Sequence, residues 1–291
     1  MALRRRSAAI DIVVATLDGW RRHISGRNTT VISFFGFLSI FPLLIVATTI
    51  LGFVLQDNED LQQRIINGAL DDIPVLGQQL KDDPTSLKGS VWVLIVGLVG
   101  ALWSATKAFV AVQMAQDDTW EVGVDDRAMM PVQRGRALIG IVIIGASQIA
   151  GLGASSIVTA ASLPLGGRIL LIVATVAINI ATIAAMYRYL TSAHPTWRDV
   201  WPGAIGAGIA FTLLHQFGTL IVVRISENAS ETYGNFALVL GLITWLGLLA
   251  IASVMGAEFN AALVARRDGS LDAINGRSST AATETTVTAP T

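Results

Sequence analysis

Residues 232–267, TYGNFALVLGLITWLGLLAIASVMGAEFNAALVARR, decide the fold class of this chain. No residue from 236 to 257 carries a charge. At about 1.5 Å rise per residue, a helix over this run is long enough to cross a hydrocarbon core of roughly 30 Å. Glu258 therefore falls near the far boundary of the span, with Arg266 and Arg267 just beyond it. A carboxylate in that position requires a partner.

The composition of the whole chain supports the same class. Of its 291 residues, 53% are hydrophobic and only 14% are charged, and the mean hydropathy is +0.61. A soluble domain with these values would be difficult to keep in solution, so we interpret the chain as a membrane protein. Cysteine is absent, which excludes disulfides, thiolate metal ligands and thiol nucleophiles.

Further long apolar runs predict an all-α polytopic fold, a bundle of six transmembrane helices within a domain at residues 30–265. The predicted spans are residues 30–55, 90–113, 137–161, 169–190, 203–223 and 236–264. Pro42 predicts a hinge in the first span, because a proline inside a helix removes a backbone hydrogen bond. Gly203, at the start of the fifth span, is a second predicted hinge. Topologies with five or seven spans remain open and require a re-entrant run or insertion of residues 56–89.

Three segments lie outside the predicted spans. Residues 1–29 combine six arginines with an apolar stripe, which predicts a basic amphipathic helix on the cytoplasmic membrane surface. A solvated basic leader that only fixes topology is the alternative. Residues 56–89 are too polar to span, but their apolar residues recur at helical spacing, so we expect an amphipathic extracytoplasmic segment. Residues 266–291 predict a disordered cytoplasmic tail.

The distribution of basic residues predicts the orientation. Six spans place both termini on one side of the membrane and alternate the loops between the two sides. Of the 20 basic residues, only five fall on the side opposite the termini: Arg64, Lys81, Lys88, Arg168 and Arg224. The positive-inside rule then places both termini in the cytoplasm, as expected for a multi-pass protein of a bacterial inner membrane.

Signatures of soluble-type catalysis are missing from the sequence. It contains no glycine-rich phosphate loop, no His and Glu at metal spacing and no nucleophile elbow. His23, His194 and His215 are too scattered to suggest a site. We therefore expect no enzyme activity, no metal, no cofactor and no nucleic acid partner, and we assign the basic N-terminus to topology and anionic lipids.

Two charges near the cytoplasmic boundary are the main candidates for a functional site. Lys107 lies about 17 residues into the second span, at a depth similar to that of Glu258 on the sixth. An acidic residue in hydrocarbon costs roughly 2.5 to 3.5 kcal/mol alone, so we predict that the two pair as a charge latch. The alternative is that each side chain extends separately to the headgroups, which the long stem of lysine makes easy.

Other polar residues at membrane depth complete the candidate substrate path. They are Ser39 on the first span, Gln148 on the third, Asn179 on the fourth, His215 on the fifth and Asn260 on the sixth. Polar side chains inside a membrane commonly hold helices together, and we favour that role over direct substrate contact for Gln148, Asn179 and His215.

Four stretches, in this order, resemble the blocks of the YihY/BrkB family of bacterial inner-membrane proteins, and within it the YhjD-like branch. They are SFFGFLSIFPLLIV (33–46), LWSATKAFVAVQMAQDDTW (102–120), HPTWRDVWPGAIGAGIAF (194–211) and YGNFALVLGLITWLGLLAIASVMGAEFNAAL (233–263). The resemblance implies six transmembrane helices with cytoplasmic termini. It also implies that residues 39–42, Pro202 with Gly203, Tyr233 with Gly234, and residues 256–260 are recurrent family positions.

The same resemblance shapes the expected function. Members of the family have been mislabelled ribonuclease BN, described as virulence or serum-resistance factors, and linked to export of envelope lipids or lipopolysaccharide precursors. Where the family usually has an Asn and a Tyr or Trp after the second span, this chain has Gln116, Asp117 and Trp120. We expect a protein that transports or gates an envelope lipid or another amphipathic substrate, with membrane lipids as partners. A non-transporting scaffold or envelope-integrity factor is the alternative.

Overall fold

The computed structural model describes residues 8–55, 91–160, 165–233 and 236–269. In these residues the chain forms seven α-helices and one short 3₁₀ turn. The helices are α1 (Ala8–Arg22), α2 (Ser25–Leu55), α3 (Val91–Thr119), α4 (Met130–Ala160), α5 (Leu165–Tyr189), α6 (Trp197–Tyr233) and α7 (Phe236–Arg267), and the turn is Val124–Asp126. The all-α class predicted from the sequence is confirmed for the described part of the chain.

Four segments of these helices are long and apolar enough to cross a membrane: Ser25–Val46, Val91–Thr119, Ile169–Tyr189 and Val239–Arg267. Few of their side chains are buried inside the protein, which suits helices whose outer faces meet lipid. The predicted fifth span falls within α6 and the predicted third span falls within α4 up to residue 160; these helices are 37 and 31 residues long. The predicted segment at 56–89 lies outside the described residues. The predicted tail at 266–291 overlaps the end of α7, which runs to Arg267, and lies outside the described residues from 270 onward.

Capping hydrogen bonds mark the start of α6 and the end of α3. At the start of α6, the Asp199 carboxylate accepts hydrogen bonds from both the backbone N–H and the hydroxyl of Thr196. At the end of α3, the N–H of Glu121 donates to the Asp118 carbonyl and that of Val122 donates to the Asp117 carbonyl. This is the Schellman pattern, in which Glu121 takes the left-handed position that glycine usually occupies (φ 52°).

Two compact units divide the chain: residues 1–34 with 109–291, and residues 35–108. The core of the first unit is built mainly of small side chains between α5, α6 and α7, with the ring of Tyr187 as its largest member. Small residues let helix backbones approach closely where lipid supplies no hydrophobic driving force. A smaller cluster, Ala15 with Ala262, packs α1 onto α7.

In the second unit, the last part of α2 packs against the first part of α3. A Cβ at Gly97 would lie 2.8 Å from a side-chain atom of Ile45, and a Cβ at Gly100 would lie 3.5 Å from Pro42. The glycines of α3 therefore make room for α2. The helix α2 continues through Pro42, the predicted hinge, without ending there.

Candidate functional site

Glu258, on α7, is the centre of the polar site. Its side chain is 1% exposed, and both carboxylate oxygens lie against Nδ1 of His23, at 2.9 and 3.0 Å. The hydroxyl of Ser25 donates to Oε1 at 2.7 Å, and the hydroxyl of Thr119 lies 3.4 Å from the same oxygen. The carboxylate that the sequence placed near lipid is thus surrounded by hydrogen-bond donors from α2, α3 and the turn after α1.

The turn between α1 and α2 consists of His23 and Ile24, and it places two donors, His23 and the first residue of α2, Ser25, beside Glu258. Ile24, between them, has a left-handed backbone with φ 51°. A β-branched residue rarely adopts that conformation, which strains the backbone by about 1–2 kcal/mol. Such strain persists only where surrounding contacts maintain it. His23 and Ser25, the two neighbours of Ile24, both bond to Glu258, so the carboxylate maintains this turn.

Gly19, one turn before His23 on α1, leaves room for the carboxylate. A Cβ built on Gly19 would lie 2.5 Å from Oε2 of Glu258, too close for any real contact. Beside this contact is a cavity of about 190 Å³ lined by His23, Glu258, Arg22 and Glu121, among other residues. Because Arg22 and Glu121 are about half exposed, the cavity connects the buried pair with the protein surface.

The charges around His23 favour its protonated form. Nε2 of His23 lies 3.5 Å from Oε1 of Glu121, an ionic contact without hydrogen-bond geometry, and Arg22 bonds the same oxygen at 2.7 Å. Burial by itself lowers the pKa of His23, but the hydrogen bond and the charge of Glu258 outweigh burial and leave the pKa raised. Burial raises the pKa of Glu121, but Arg22 and His23 more than offset it, so this pKa is lowered.

A second polar cluster secures the C-terminal end of α3 beside the site. The buried carboxylate of Asp117 accepts hydrogen bonds from the Thr191 hydroxyl at 2.9 Å and from the Ser192 backbone N–H at 2.7 Å. The neighbouring carboxylate, Asp118, bonds Arg127 at 2.7 Å and the Asn28 amide at 2.9 Å. These contacts connect α3 to α2 and to the loops after α3 and α5, and they fix Thr119 next to Glu258 and Glu121 next to His23.

Asn260, one half-turn beyond Glu258, joins α7 to α6. Its carbonyl oxygen accepts a hydrogen bond from the Gly203 backbone N–H at 2.6 Å, and its amide donates to the Val200 carbonyl at 3.0 Å. At the same crossing, a Cβ on Gly203 would overlap the carbonyl oxygen of Gly256. The predicted hinge at Gly203 is a close-packed crossing point in this structure, and Asn260 is a helix-to-helix clamp with no exposed surface.

Lys107, the predicted partner of Glu258, has other neighbours. Its ammonium lies 5.7 Å from the ring centroid of Phe35 and 5.3 Å from that of Trp103, which are cation–π distances. In the first unit, the bonds from His23 and Ser25 and the nearby hydroxyl of Thr119 satisfy the Glu258 carboxylate. The pairing of Lys107 with Glu258 stays a prediction.

The other predicted path residues have the following contacts, and their role in a substrate path stays a prediction. The Asn179 amide donates to the Thr212 hydroxyl at 3.0 Å, which links α5 to α6. His215 stacks edge-on with Phe211 and Trp245. Ser39 bonds the Gly36 carbonyl within its own helix, and Gln148 is exposed. In the described residues, no group of three or more His, Asp or Glu side chains is arranged to hold a metal ion.

The residues missed by sequence reasoning are His23, Ser25, Gly19 and Glu121. The three histidines are far apart in sequence and therefore do not suggest a site. His23 nevertheless takes part in one, because it binds a carboxylate 235 positions away. A usable signal existed: a histidine, a serine and a glycine interrupt the amphipathic N-terminal segment directly before the first span. Their convergence on Glu258 depends on the docking of α1 against α7, which no local pattern reports.

Comparison with known proteins gives consistent matches over most of the chain. Residues 17–280 match the family described as virulence factor BrkB. YfkH of Bacillus subtilis (strain 168), whose name describes it as ribonuclease-like, is 24% identical over 261 residues, covering 84% of this chain and 92% of that protein. An uncharacterized protein of Dickeya dadantii (strain 3937) is 24% identical over 289 residues, covering 92% of this chain and 86% of its own length. No solved structure matches the chain.

Proposed function

The chain belongs to the virulence factor BrkB family of membrane proteins, and from that membership we propose that it transports or gates an amphipathic substrate, such as an envelope lipid or lipid-linked precursor, in the bacterial inner membrane. The proposal includes six spans and cytoplasmic termini, and it assigns the chain no catalytic activity. Four spans are visible by length and composition, and α4 and α6 are long enough to supply two more.

The buried Glu258–His23 pair is the observation that carries the proposal. Replacing a buried ion pair by apolar side chains is often neutral or stabilising, so such a pair is weak evidence for a purely structural role. Ionisable groups at membrane depth usually mark paths or moving parts. Here the pair lines a cavity and adjoins a strained turn, both of which suit a part that changes conformation.

Reconstitution in liposomes tests the proposal. Purified protein should accelerate the exchange of a fluorescent phospholipid between leaflets, measured by dithionite quenching, or the release of an entrapped amphipathic dye. Glu258→Gln should slow that rate by about tenfold or more, which corresponds to roughly 1.4 kcal/mol on the barrier. The matched control is Asp125→Asn, an exposed carboxylate in the turn after α3.

The outcomes separate the two candidate functions. If the protein is a scaffold, the rates of lipid exchange and dye release should equal those of protein-free liposomes. Neither substitution should then change these rates. Equal slowing by Glu258→Gln and Asp125→Asn would also reject the site, because it would show that any lost carboxylate has the same effect.

A further inference from the structure

One carboxylate accepts side-chain hydrogen bonds from both neighbours of the strained residue in the turn between α1 and α2. Ile24 is in the left-handed region, and more than half of its side chain is exposed, so its own packing contributes little to holding that backbone. Its neighbours His23 and Ser25 both bond Glu258 of α7. Removing those two bonds would leave the strained turn with its backbone bonds and with the bond from the Asn28 amide to the His23 carbonyl, and without any contact to α7 at His23 and Ser25.

The rest of α1 is held against α7 by little apolar surface. Its buried contact is the pair Ala15 and Ala262, two of the smallest side chains. Three apolar side chains of α1, Ile10, Val13 and Leu17, are 43%, 55% and 51% exposed. Polar contacts therefore contribute strongly to the position of α1: Arg266 of α7 lies 3.9 Å from Asp11, and at the C-terminal end of α1 Arg22 bonds Glu121.

In the described part of the chain, three charged groups act on the His23 ring. Glu258 contributes a negative charge from α7, Glu121 contributes another from the turn after α3, and Arg22 contributes a positive charge from α1. Ser25 of α2 and Thr119 of α3 add neutral hydroxyls. With a protonated ring, the buried carboxylate has a cationic partner. With a neutral ring, Glu258 has no cation in hydrogen-bond contact among the described residues.

We propose that His23 and Glu258 form a proton-binding site that controls the docking of α1. When the proton is bound, the imidazolium and the carboxylate neutralise each other, and the strained turn is held closed. When the proton leaves through the cavity, a lone carboxylate remains in a buried position, and α1 separates from α7 so that water can reach it. The raised pKa of His23 supports this order of events. The inference concerns the position of α1 and does not depend on transport.

Distance measurements between spin labels test the inference directly. Because the chain has no cysteine, labels can be placed at Ile10→Cys on α1 and Val124→Cys after α3, both exposed positions of the first unit. In nanodiscs frozen between about pH 5 and pH 9, the docked protein should give one narrow distance distribution at low pH. A second population should appear as the pH rises, with a midpoint above the ordinary histidine value of about 6.5.

Three variants sharpen the test. Glu258→Gln should stay docked across the whole pH range, because an amide still accepts the bond from His23 and leaves no lone charge. His23→Gln should show the second population even at low pH. Glu121→Gln, at the exposed rim, should shift the midpoint to lower pH, because it removes a negative charge that favours the protonated ring.

The control variant is His215→Gln, which alters a histidine outside the site and should keep the midpoint of the parent protein. The inference is overturned if the parent protein keeps one distance distribution from about pH 5 to pH 9. It is equally overturned if Glu258→Gln or His23→Gln retains the parent transition. A midpoint that moves with His215→Gln instead of with Glu121→Gln would assign the pH response to a different histidine.

Discussion

At the scale of single residues, the donors around Glu258 supply the hydrogen bonds that lipid cannot give to a carboxylate. A carboxylate in hydrocarbon lacks hydrogen-bond partners, whereas Glu258 receives bonds from an imidazole and a hydroxyl at 2.7 to 3.0 Å. Removing one partner of a buried charged pair commonly destabilises a protein by about 3–5 kcal/mol, because the other charge stays buried and unpaired. This site is therefore sensitive to small changes in the residues that shape it.

Gly19→Ala tests the space beside the carboxylate. Alanine normally stabilises a helix by about 0.5–1 kcal/mol relative to glycine. At Gly19 the added methyl group would press on Oε2 of Glu258, which His23 holds in place, and overpacking of this kind costs about 1–3 kcal/mol. We expect a lower Tm for Gly19→Ala by thermal unfolding in detergent. Gly26→Ala is the control, since nothing lies within 4 Å of its Cβ position, and its Tm should be equal or higher.

Gly203→Ala tests the crossing of α6 and α7. A methyl group there overlaps the Gly256 carbonyl and meets the Asn260 amide at 2.7 Å, so the two helices must separate. We expect a loss of more than about 3 kcal/mol, seen as a large drop in Tm or as failure to accumulate. Gly206→Ala lies one turn further along the same helix in open space and should have no such effect. Equal Tm values for the two variants would contradict the described crossing.

Residue chemistry was only partly predictable from the sequence. Glu258 stands out because a carboxylate in an apolar run is costly wherever the helix lies. Its partner could not be found in the same way, because depth along the membrane normal is one coordinate and many residues share it. Depth alone favours Lys107 as a partner, and that pairing stays a prediction. His23 contacts Glu258 through the lateral docking of α1, which only the tertiary structure reveals.

At the scale of elements, the helices extend beyond the apolar runs that predict them. The run at 90–113 becomes α3, which continues to Thr119 because Gln116, Asp117 and Asp118 remain helical up to the Schellman motif. The polar ends of such helices are poorly marked by hydropathy. The site around Glu258 is formed by these polar ends. The sequence therefore predicts the membrane-crossing parts of α3 and α7 better than the ends that form the site.

The start of α6 provides an element-scale prediction on pH. Burial raises the pKa of Asp199, but hydrogen bonds from Thr196 and the ion pair with Arg267 outweigh burial and lower it. A lowered pKa in the folded state means that Asp199 stabilises the protein above its unfolded pKa of about 3.9, and that this contribution is lost as the pH falls through the lower, folded value.

The measurement is Tm in detergent between about pH 6 and pH 3. The parent protein should lose stability toward low pH more steeply than Asp199→Asn, and above about pH 5 the variant should be less stable by about 1 kcal/mol, the size of one helix cap. Asp125→Asn is the matched control and should follow the parent curve. Parallel curves for the parent protein and Asp199→Asn would contradict the cap.

At the scale of the whole molecule, composition predicts the class and charge distribution predicts the orientation. Low charge content and long apolar runs require helices in lipid, because a span must satisfy its backbone hydrogen bonds internally. The structure confirms a helical protein with four segments that are long and apolar enough to cross a membrane. The number six and the cytoplasmic position of the termini remain predictions, because they depend on a membrane plane.

Cysteine labelling in cells checks that topology. Val124→Cys, after α3, should be cytoplasmic, and Ser86→Cys, in the segment between α2 and α3, should be on the other side. The reagent is a maleimide that cannot cross the inner membrane, added to cells whose outer envelope has been made permeable and whose inner membrane is intact. It should label Ser86→Cys in these cells and Val124→Cys only after lysis. The cysteine-free parent chain gives the background signal. The reverse pattern, or labelling of both positions in intact cells, would contradict six spans with cytoplasmic termini.

The bond between His23 and Glu258 can form only late in the synthesis of the chain, after α7 has been made. The two residues are 235 positions apart, so at about 5–20 residues per second the N-terminal helix waits roughly 10 to 50 seconds on the ribosome for its partner. Until α7 emerges, the turn at Ile24 has no carboxylate to hold it. A chain that stops before α7 would therefore leave its first helix undocked. We expect quality-control proteases to recognise the undocked helix and degrade such an incomplete chain.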